Sequence, residues 1–195
     1  MISSEGFYDR MTPHYDLCNS KYPFALGGDE YCVVPMTMLC YHDSAYHTWW
    51  EVDNYNNPHH RSQWGRGYKE RYAFAGGLPR LQACMDALMG TPPDLYPFGR
   101  QYNYIPNNHP DFYFYRYTID DPEVRTAIEY AKPVLKLNAR IAKQELVEHH
   151  LHHPDGGVQE TVFADGTRVI VNFSNVPLEA PGVGVLPAES WVTRQ

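Results

Sequence analysis

The stretch VVPMTMLCYHDSAYHTWWEVD, residues 33–53, is the part of the sequence on which the predicted fold depends. It begins as a mostly apolar run and then changes abruptly to Tyr41, His42 and Asp43, followed by two adjacent tryptophans and acidic residues. Parallel strands buried on both faces have continuous apolar runs rather than an alternating pattern. We therefore predict a buried strand over residues 33–40. In barrels of alternating strands and helices, the carboxyl end of such a strand carries the functional site.

The composition excludes several classes of partner. The chain has 195 residues, with 16 Lys and Arg against 23 Asp and Glu, and its formal net charge is −7. This acidic balance argues against a nucleic-acid partner, which requires a basic surface. The sequence contains no run of about 18 apolar residues, so it predicts no membrane span. The N-terminus lacks the basic start and apolar core of a secretory signal, which predicts a cytoplasmic location if Met1 is the natural start.

Two helices are predicted from the spacing of apolar residues. Residues 78–89 carry apolar side chains on one helical face, and Gly90 ends that helix. A second helix starts at Pro122, where acidic residues precede a proline at the first helical position. We expect Pro133 to kink this helix or to start another. The apolar pattern continues to a helix end near residues 149–153.

A β-hairpin is predicted over residues 158–173. Two β-branched runs flank Asp165-Gly166, which favours a two-residue type I′ turn. That loop length pairs Val162 with Val169. A third strand is predicted over residues 183–192. Because an isolated hairpin is marginal in water, this sheet must pack on the helices or extend a larger sheet.

Carboxylates and aromatic side chains are the candidate site residues. Glycoside hydrolysis needs two carboxyl groups that flank the scissile bond. Glu5, after a possible strand end, is a reasonable general acid/base, and the alternative is a solvated surface glutamate. Asp43 follows the apolar run and could bind substrate, or it could cap a loop or pair with an arginine. Of Trp49 and Trp50, we expect one to face the site and the other to pack, because neighbours on a strand point opposite ways.

A metal site is the other chemistry that we considered. Histidines 149, 150, 152 and 153 share helical faces in part, but no other ligand is fixed nearby, and a helix end favours positive charge. We therefore expect no metal site there. The sequence has no Gly-rich phosphate loop and no G-x-S-x-G motif, and we expect no cofactor.

The motif V-P-x-x-x-L-x-Y-H-D at residues 34–43 resembles the last barrel strand of glycoside hydrolases related to families 101 and 129. These are endo- and exo-acting α-N-acetylgalactosaminidases and their relatives. Residues 161–173 resemble the hairpin of the β domain that follows the barrel in such enzymes. The segment from Leu135 to Ile141, with Glu145 and His149, is similar to the connecting segment of the family.

The resemblance implies an α/β fold in two parts. Residues 1–153 would be the C-terminal portion of a (β/α)8 catalytic barrel, with its last strand–helix units and long aromatic loops. Residues 154–195 would begin a C-terminal β-sandwich domain with a small antiparallel sheet. A complete barrel needs about 250 residues. We therefore expect the chain to be incomplete, and not to close a barrel or to be active by itself.

The resemblance also implies a retaining mechanism with an aspartate nucleophile and a glutamate acid/base. We place the acid/base at Glu5, and no counterpart of the nucleophile is visible in the chain. A carbohydrate substrate would be held by a further set of side chains: Tyr41, His42, Asp43, Trp49, Trp50 and Asp53. The alternative function is a non-catalytic carbohydrate-binding or structural module. The two hypotheses differ in whether Glu5 and Asp43 converge in one cleft.

Overall fold

The computed structural model describes residues 3–4, 14–19, 25–26, 33–48, 78–93, 119–120, 122–153 and 156–195. The strands of the N-terminal half are β1 (Ser3–Ser4), β2 (Leu17–Asn19), β3 (Ala25–Leu26), β4 (Val33–Val34) and β5 (Tyr46–Thr48). The helices are α1 (Met36–Tyr41), α2 (Leu78–Met89) and α3 (Pro122–Ile141). The remaining strands are β6 (Leu146–Leu151), β7 (Val158–Phe163), β8 (Arg168–Asn172), β9 (Leu178–Ala180), β10 (Gly184–Leu186) and β11 (Ser190–Arg194).

The described strands form parallel and antiparallel sheets in different parts of the chain. β1, β2 and β5 form a parallel sheet with β2 in the middle, and β3 pairs antiparallel with β4. The C-terminal strands form an antiparallel sheet in the order β11-β8-β7-β6, and β9 pairs with β10 beside it. The predicted mixed α/β content and the antiparallel sheet are therefore confirmed, whereas the barrel stays a prediction.

The main core lies between the helices and one face of the antiparallel sheet. Its members include Met38 of α1, Leu88 of α2 and Ile141 of α3, all fully buried. Phe163 and Val171 face them from the sheet. The opposite face of the sheet is covered in part by β9 and β10, which bury a smaller apolar cluster. Both faces of the hairpin therefore contribute to burial, which is the main stabilising term in folding.

The two predicted helices are confirmed. α2 covers the predicted residues 78–89, because its apolar residues recur at helical spacing and Gly90 ends it. α3 begins at the predicted Pro122 and continues through Pro133 as one helix. None of the described helices is both long and apolar enough to cross a membrane.

The prediction of a strand over residues 33–40 is wrong beyond β4, which ends at Val34. Pro35 follows, lacks the N–H that a strand ladder needs, and precedes α1. The His42 N–H donates to the Met38 carbonyl at 3.0 Å, which is the spacing of a helix. The parallel strand in this part of the chain is therefore β5, which comes after the helix.

The hairpin is confirmed, but its predicted register is wrong by one residue. Val162 pairs with Arg168 rather than with Val169. Gly166 has a φ of +83°, whereas Asp165 has no positive φ, so the turn is not the type I′ turn that needs both. A three-residue loop that ends in a left-handed glycine replaces it, and this extra residue shifts the pairing.

The prediction that the second helix continues to residues 149–153 is also wrong. α3 ends at Ile141, and β6 begins at Leu146 and pairs antiparallel with β7. The register shifts between Leu146 and Glu148. Such a bulge interrupts the alternation of side chains by which a strand is recognised in the sequence.

The C-terminal strands differ from the prediction in two further ways. The predicted strand over residues 183–192 is two strands, because β10 pairs with β9 and β11 pairs with β8. β6 lies before the predicted domain division at residues 153–154, and its partner β7 lies after it. Strand pairing therefore crosses that position, and the division itself stays a prediction.

Asn172 joins the two C-terminal sheets, and its replacement gives a first test of the fold. Its fully buried amide nitrogen lies within 3.0 Å of three backbone carbonyl oxygens, those of Val176, Leu186 and Pro187. We expect Asn172→Ala to lower the free energy of unfolding by roughly 2 kcal/mol, because buried carbonyls lose their donor. Urea denaturation measures this loss. The exposed Asn175→Ala is the control, and equal losses in the two variants would contradict the assignment.

Candidate functional site

The residues predicted to form the site fall into two groups. Four lie outside the described residues: Glu5, Trp49, Trp50 and Asp53. Their roles stay predictions. Three are consecutive at the carboxyl end of α1: Tyr41, His42 and Asp43. Of these, Tyr41 is half-buried, His42 is buried and Asp43 is exposed.

The carboxyl ends of the parallel strands lie along one edge of their sheet. Cys18 of β2 pairs with Ser4 of β1 and with His47 of β5. In the sequence, Glu5 directly follows β1, and Trp49 directly follows β5. Ligands of α/β proteins bind at the carboxyl ends of parallel strands. This edge is therefore the candidate functional site.

Asp43 presents a carboxylate at the surface. It follows a helix rather than the predicted strand, and its side chain is exposed. The Ser44 hydroxyl donates to its Oδ1 at 3.2 Å. A carboxylate has about four acceptor positions, so Asp43 can accept further hydrogen bonds, including those from sugar hydroxyls.

His42 lies in the interior, between three other segments of the chain. Its side chain is only 4% exposed. Its Nδ1 lies 2.6 Å from the Gln144 carbonyl oxygen, and its Nε2 lies 3.2 Å from that of Gly90. The ring also meets Phe163 edge-to-face, at 5.2 Å between centroids. A sugar could reach these nitrogens only by displacing a carbonyl, and the predicted contact of His42 with substrate stays a prediction.

The Gly90 carbonyl belongs to a Schellman turn at the end of α2. Gly90 has a φ of +70°, and its N–H donates to the backbone carbonyl of Ala87. The Thr91 N–H donates to the backbone carbonyl of Asp86 at 3.0 Å. The Asn138 amide nitrogen of α3 donates to the Gly90 carbonyl at 2.7 Å. The sequence predicts this turn, because a glycine follows an apolar helical pattern, but it gives no signal of the contact with His42.

His47 of β5 is a second buried histidine beside the site, and the sequence analysis missed it. It is 3% exposed, and its Nε2 lies 3.2 Å from the Tyr41 carbonyl oxygen, to which it donates. Burial lowers the pKa of His47 to about 4, the hydrogen bond to Tyr41 opposes this shift, and the nearby His42 adds to it. The imidazole of His47 is therefore uncharged at neutral pH.

A small crevice lies between α1, β5, the end of α2 and α3. Its lining includes His42, Tyr46, His47, Thr91, Asn138 and Ala142. The space suits about one water molecule, which is far less than a sugar ring needs. The crevice is therefore too small to be a substrate pocket.

A second polar cluster lies on the face of the antiparallel sheet that is opposite the helices. The fully buried Glu160 accepts from Arg168 and from His152, each at 2.5 Å. Burial by itself would raise the pKa of Glu160, but the bonds from Arg168 and His152 outweigh it and lower that pKa. His150 stacks on His152 and contacts Glu148 at 2.7 Å.

This cluster includes histidines that the sequence analysis considered as metal ligands. In the part of the chain that the structure describes, no group of three or more His, Cys, Asp or Glu side chains is placed to hold a metal ion. His149 instead contacts the side-chain amide of Gln159 on β7 at 3.0 Å, and His150 contacts Glu148 of its own strand. His152, just after β6, contacts Glu160 of β7. Because the sequence predicts a helix end at these residues, it gave no indication of contacts between neighbouring strands.

Comparisons with known proteins concern the fold. No protein-family model and no curated protein matches the chain. A solved structure of the α-N-acetylgalactosaminidase NagBb from Bifidobacterium bifidum, in complex with GalNAc, is similar over 99% of this chain and 24% of that chain, with 21% identity and a TM-score of 0.53. A quadruple mutant of that enzyme matches over 92% of this chain and 21% of its own, with 21% identity and a TM-score of 0.45.

This chain therefore spans about a quarter of the length of the bacterial enzyme. The structural neighbour is an α-N-acetylgalactosaminidase, the class of enzyme that the sequence resemblance named. At this level of identity the likeness is one of fold. The resemblance is thus confirmed, and the chain has the fold of a segment of such a glycosidase.

Proposed function

We propose that this chain contributes to the site of a glycoside hydrolase that cleaves glycosidic bonds with retention of configuration. The first substrate class to test is the α-N-acetylgalactosaminides. The observation that supports the proposal is the likeness in fold to an α-N-acetylgalactosaminidase over 99% of this chain. The position of the parallel-strand edge supports it as well, because predicted site residues follow two of its strands in the sequence.

In this proposal Glu5 is the general acid/base. It protonates the glycosidic oxygen as the bond to the leaving group breaks, and it later takes a proton from the water that attacks the glycosyl-enzyme intermediate. Asp43 accepts hydrogen bonds from sugar hydroxyls. The other proposed substrate contacts are Tyr41, Trp49, Trp50 and Asp53; His42 is left out of this set because it is buried and both of its nitrogens lie at backbone carbonyls. We assign the nucleophile to no residue of this chain.

Replacement of Glu5 tests the proposal. The assay uses 4-nitrophenyl α-N-acetylgalactosaminide and a disaccharide with a poor leaving group, on this chain and on the product of any longer in-frame coding sequence. We expect Glu5→Gln to lower kcat on the disaccharide by at least about 100-fold, because its leaving group needs the proton. Azide should restore turnover of the aryl glycoside by Glu5→Ala, since azide attacks without a general base.

The control variant is Glu145→Gln, which changes an exposed carboxylate and should leave both rates unchanged. Unchanged turnover of the disaccharide by Glu5→Gln would remove Glu5 from the acid/base role. Absence of hydrolysis in every form of the protein, for each anomer and sugar tested, would contradict the proposed glycoside hydrolase activity.

A non-catalytic carbohydrate-binding module is the second candidate function. It is favoured by the share of the bacterial enzyme that this chain spans, which is 24%. Isothermal titration of N-acetylgalactosamine separates the two candidates. A module binds the sugar without turnover and is insensitive to Glu5→Gln, whereas the enzyme loses turnover in that variant.

A further inference from the structure

We propose that His42 is a positioning residue that couples the site segment, residues 36–48, to the C-terminal antiparallel sheet. The site segment comprises α1, β5 and the turn between them. That this coupling orients substrate contacts such as Asp43 rests on the proposed function. The coupling itself rests only on the contacts of His42.

His42 contacts three other parts of the chain through a single ring. Its Nδ1 lies 2.6 Å from the Gln144 carbonyl oxygen, which belongs to the link between α3 and β6. Its Nε2 lies 3.2 Å from the Gly90 carbonyl oxygen at the end of α2. Its ring edge packs against Phe163 of β7. One side chain of the site segment thus contacts the end of α2, the link that leads into β6, and β7 of the sheet itself.

The position of the ring is closely constrained. A Cβ atom at Gly90 would lie 2.4 Å from the His42 Nε2 and 2.9 Å from two atoms of the Phe163 ring. The Gly90 carbonyl is itself held by Asn138 of α3, at 2.7 Å. His42 therefore meets an acceptor that cannot move away without breaking a second hydrogen bond. Packed interiors transmit such constraints because they have few voids.

The other end of the site segment belongs to the parallel sheet. The Tyr46 N–H donates to the Asp16 carbonyl at 3.0 Å, where β5 begins to pair with β2. The loss of the His42 contacts should therefore loosen the segment where it faces the antiparallel sheet, although Met38 still packs in the core, while its pairing with β2 remains. The amide of Tyr46 reports whether the segment opens separately from the antiparallel sheet.

Native-state hydrogen exchange of the folded chain tests the coupling. In the wild type we expect the Tyr46 amide and the amides of β7 and β8 to exchange through the same opening as denaturant is raised. His42→Phe keeps an aromatic ring but removes both nitrogens. We expect it to increase exchange at Tyr46 by about tenfold relative to β7 and β8, because the buried carbonyl to which the imidazole N–H donates loses that donor. His42→Gln supplies amide N–H donors and should restore most of the protection.

The matched control is Ile170→Ala, a buried sheet residue of the smaller apolar cluster, which contains no residue of the site segment. It should increase exchange at all these amides equally. The same uniform increase in His42→Phe would make His42 an ordinary core residue and overturn the proposal. If His42→Phe does not fold, the wild type still decides: a Tyr46 amide that opens alone, well before the sheet, contradicts the coupling.

A kinetic measurement connects the coupling to the proposed function. On the aryl glycoside we expect His42→Phe to lower kcat/KM by about tenfold and His42→Gln to recover it, since misplacement of substrate contacts weakens transition-state binding. If no form of the protein hydrolyses glycosides, the proposed function fails while the exchange result stands. If the exchange at Tyr46 is unaffected, the coupling fails whatever the activity.

Discussion

Gly90→Ala is expected to lower the free energy of unfolding by roughly 3 kcal/mol, from backbone strain and overpacking together. Gly90 has a φ of +70°, which an alanine adopts only with strain. The new Cβ would also lie 2.4 Å from the His42 Nε2 and 2.9 Å from the Phe163 ring. Both neighbours are buried and packed, so neither can give way easily. Urea denaturation followed by circular dichroism measures the loss.

Gly166→Ala is the matched control for this change. Gly166 has a φ of +83°, but nothing lies within 4 Å of the Cβ that alanine would add. This variant isolates the backbone term, which we expect to be about 1 kcal/mol. If both variants lose the same stability, the core relaxes around the new methyl group at position 90, and its close approach to His42 and Phe163 adds no cost.

Acidification is expected to destabilise the protein by roughly 3 kcal/mol through His47 alone, at about 1.4 kcal/mol for each pKa unit. The pKa of His47 falls from an ordinary value of 6.5 to about 4 in the folded protein. Between these values the unfolded chain binds a proton that the folded chain does not. The contribution of His47 to stability is therefore fully present above pH 6.5 and is lost as the pH falls toward 4.

Unfolding free energies of the wild type and of His47→Gln, measured between pH 4 and 7, test this prediction. The difference between the two curves should narrow as the pH falls, because glutamine does not titrate. Comparison with His47→Gln is needed because burial also lowers the pKa of His149, which acts in the same direction. Parallel curves for His47→Gln would contradict the prediction.

The sequence predicted elements where local signals agree. The bounds of α2 follow from apolar spacing and a terminal glycine, and the start of α3 follows from acids before Pro122. The prediction of a strand over residues 33–40 was wrong because a short apolar run does not distinguish a strand from a helix. There Pro35 was the informative residue, since it cannot take part in a strand ladder as a donor.

The site was harder to predict, because its arrangement depends on contacts between distant segments. His42 lies between Asp43 and an apolar run, so its place in the sequence suits a substrate contact as well as a buried link. Its partner Gln144 lies 102 residues away, and the contact is to a backbone carbonyl that any residue would supply. No side-chain pattern can therefore reveal it. Asp43 differs, because its exposure agrees with its polar surroundings in the sequence.

The pairing of β6 with β7 determines where the polypeptide tolerates cleavage. A protein expressed from residue 154 onward would lack β6 and would expose the edge of β7, which includes buried residues such as Thr161. An open edge of unpaired N–H and C=O groups recruits strands from other molecules and leads to aggregation. A soluble C-terminal piece should therefore begin before Leu146, so that the edge strand stays with its sheet.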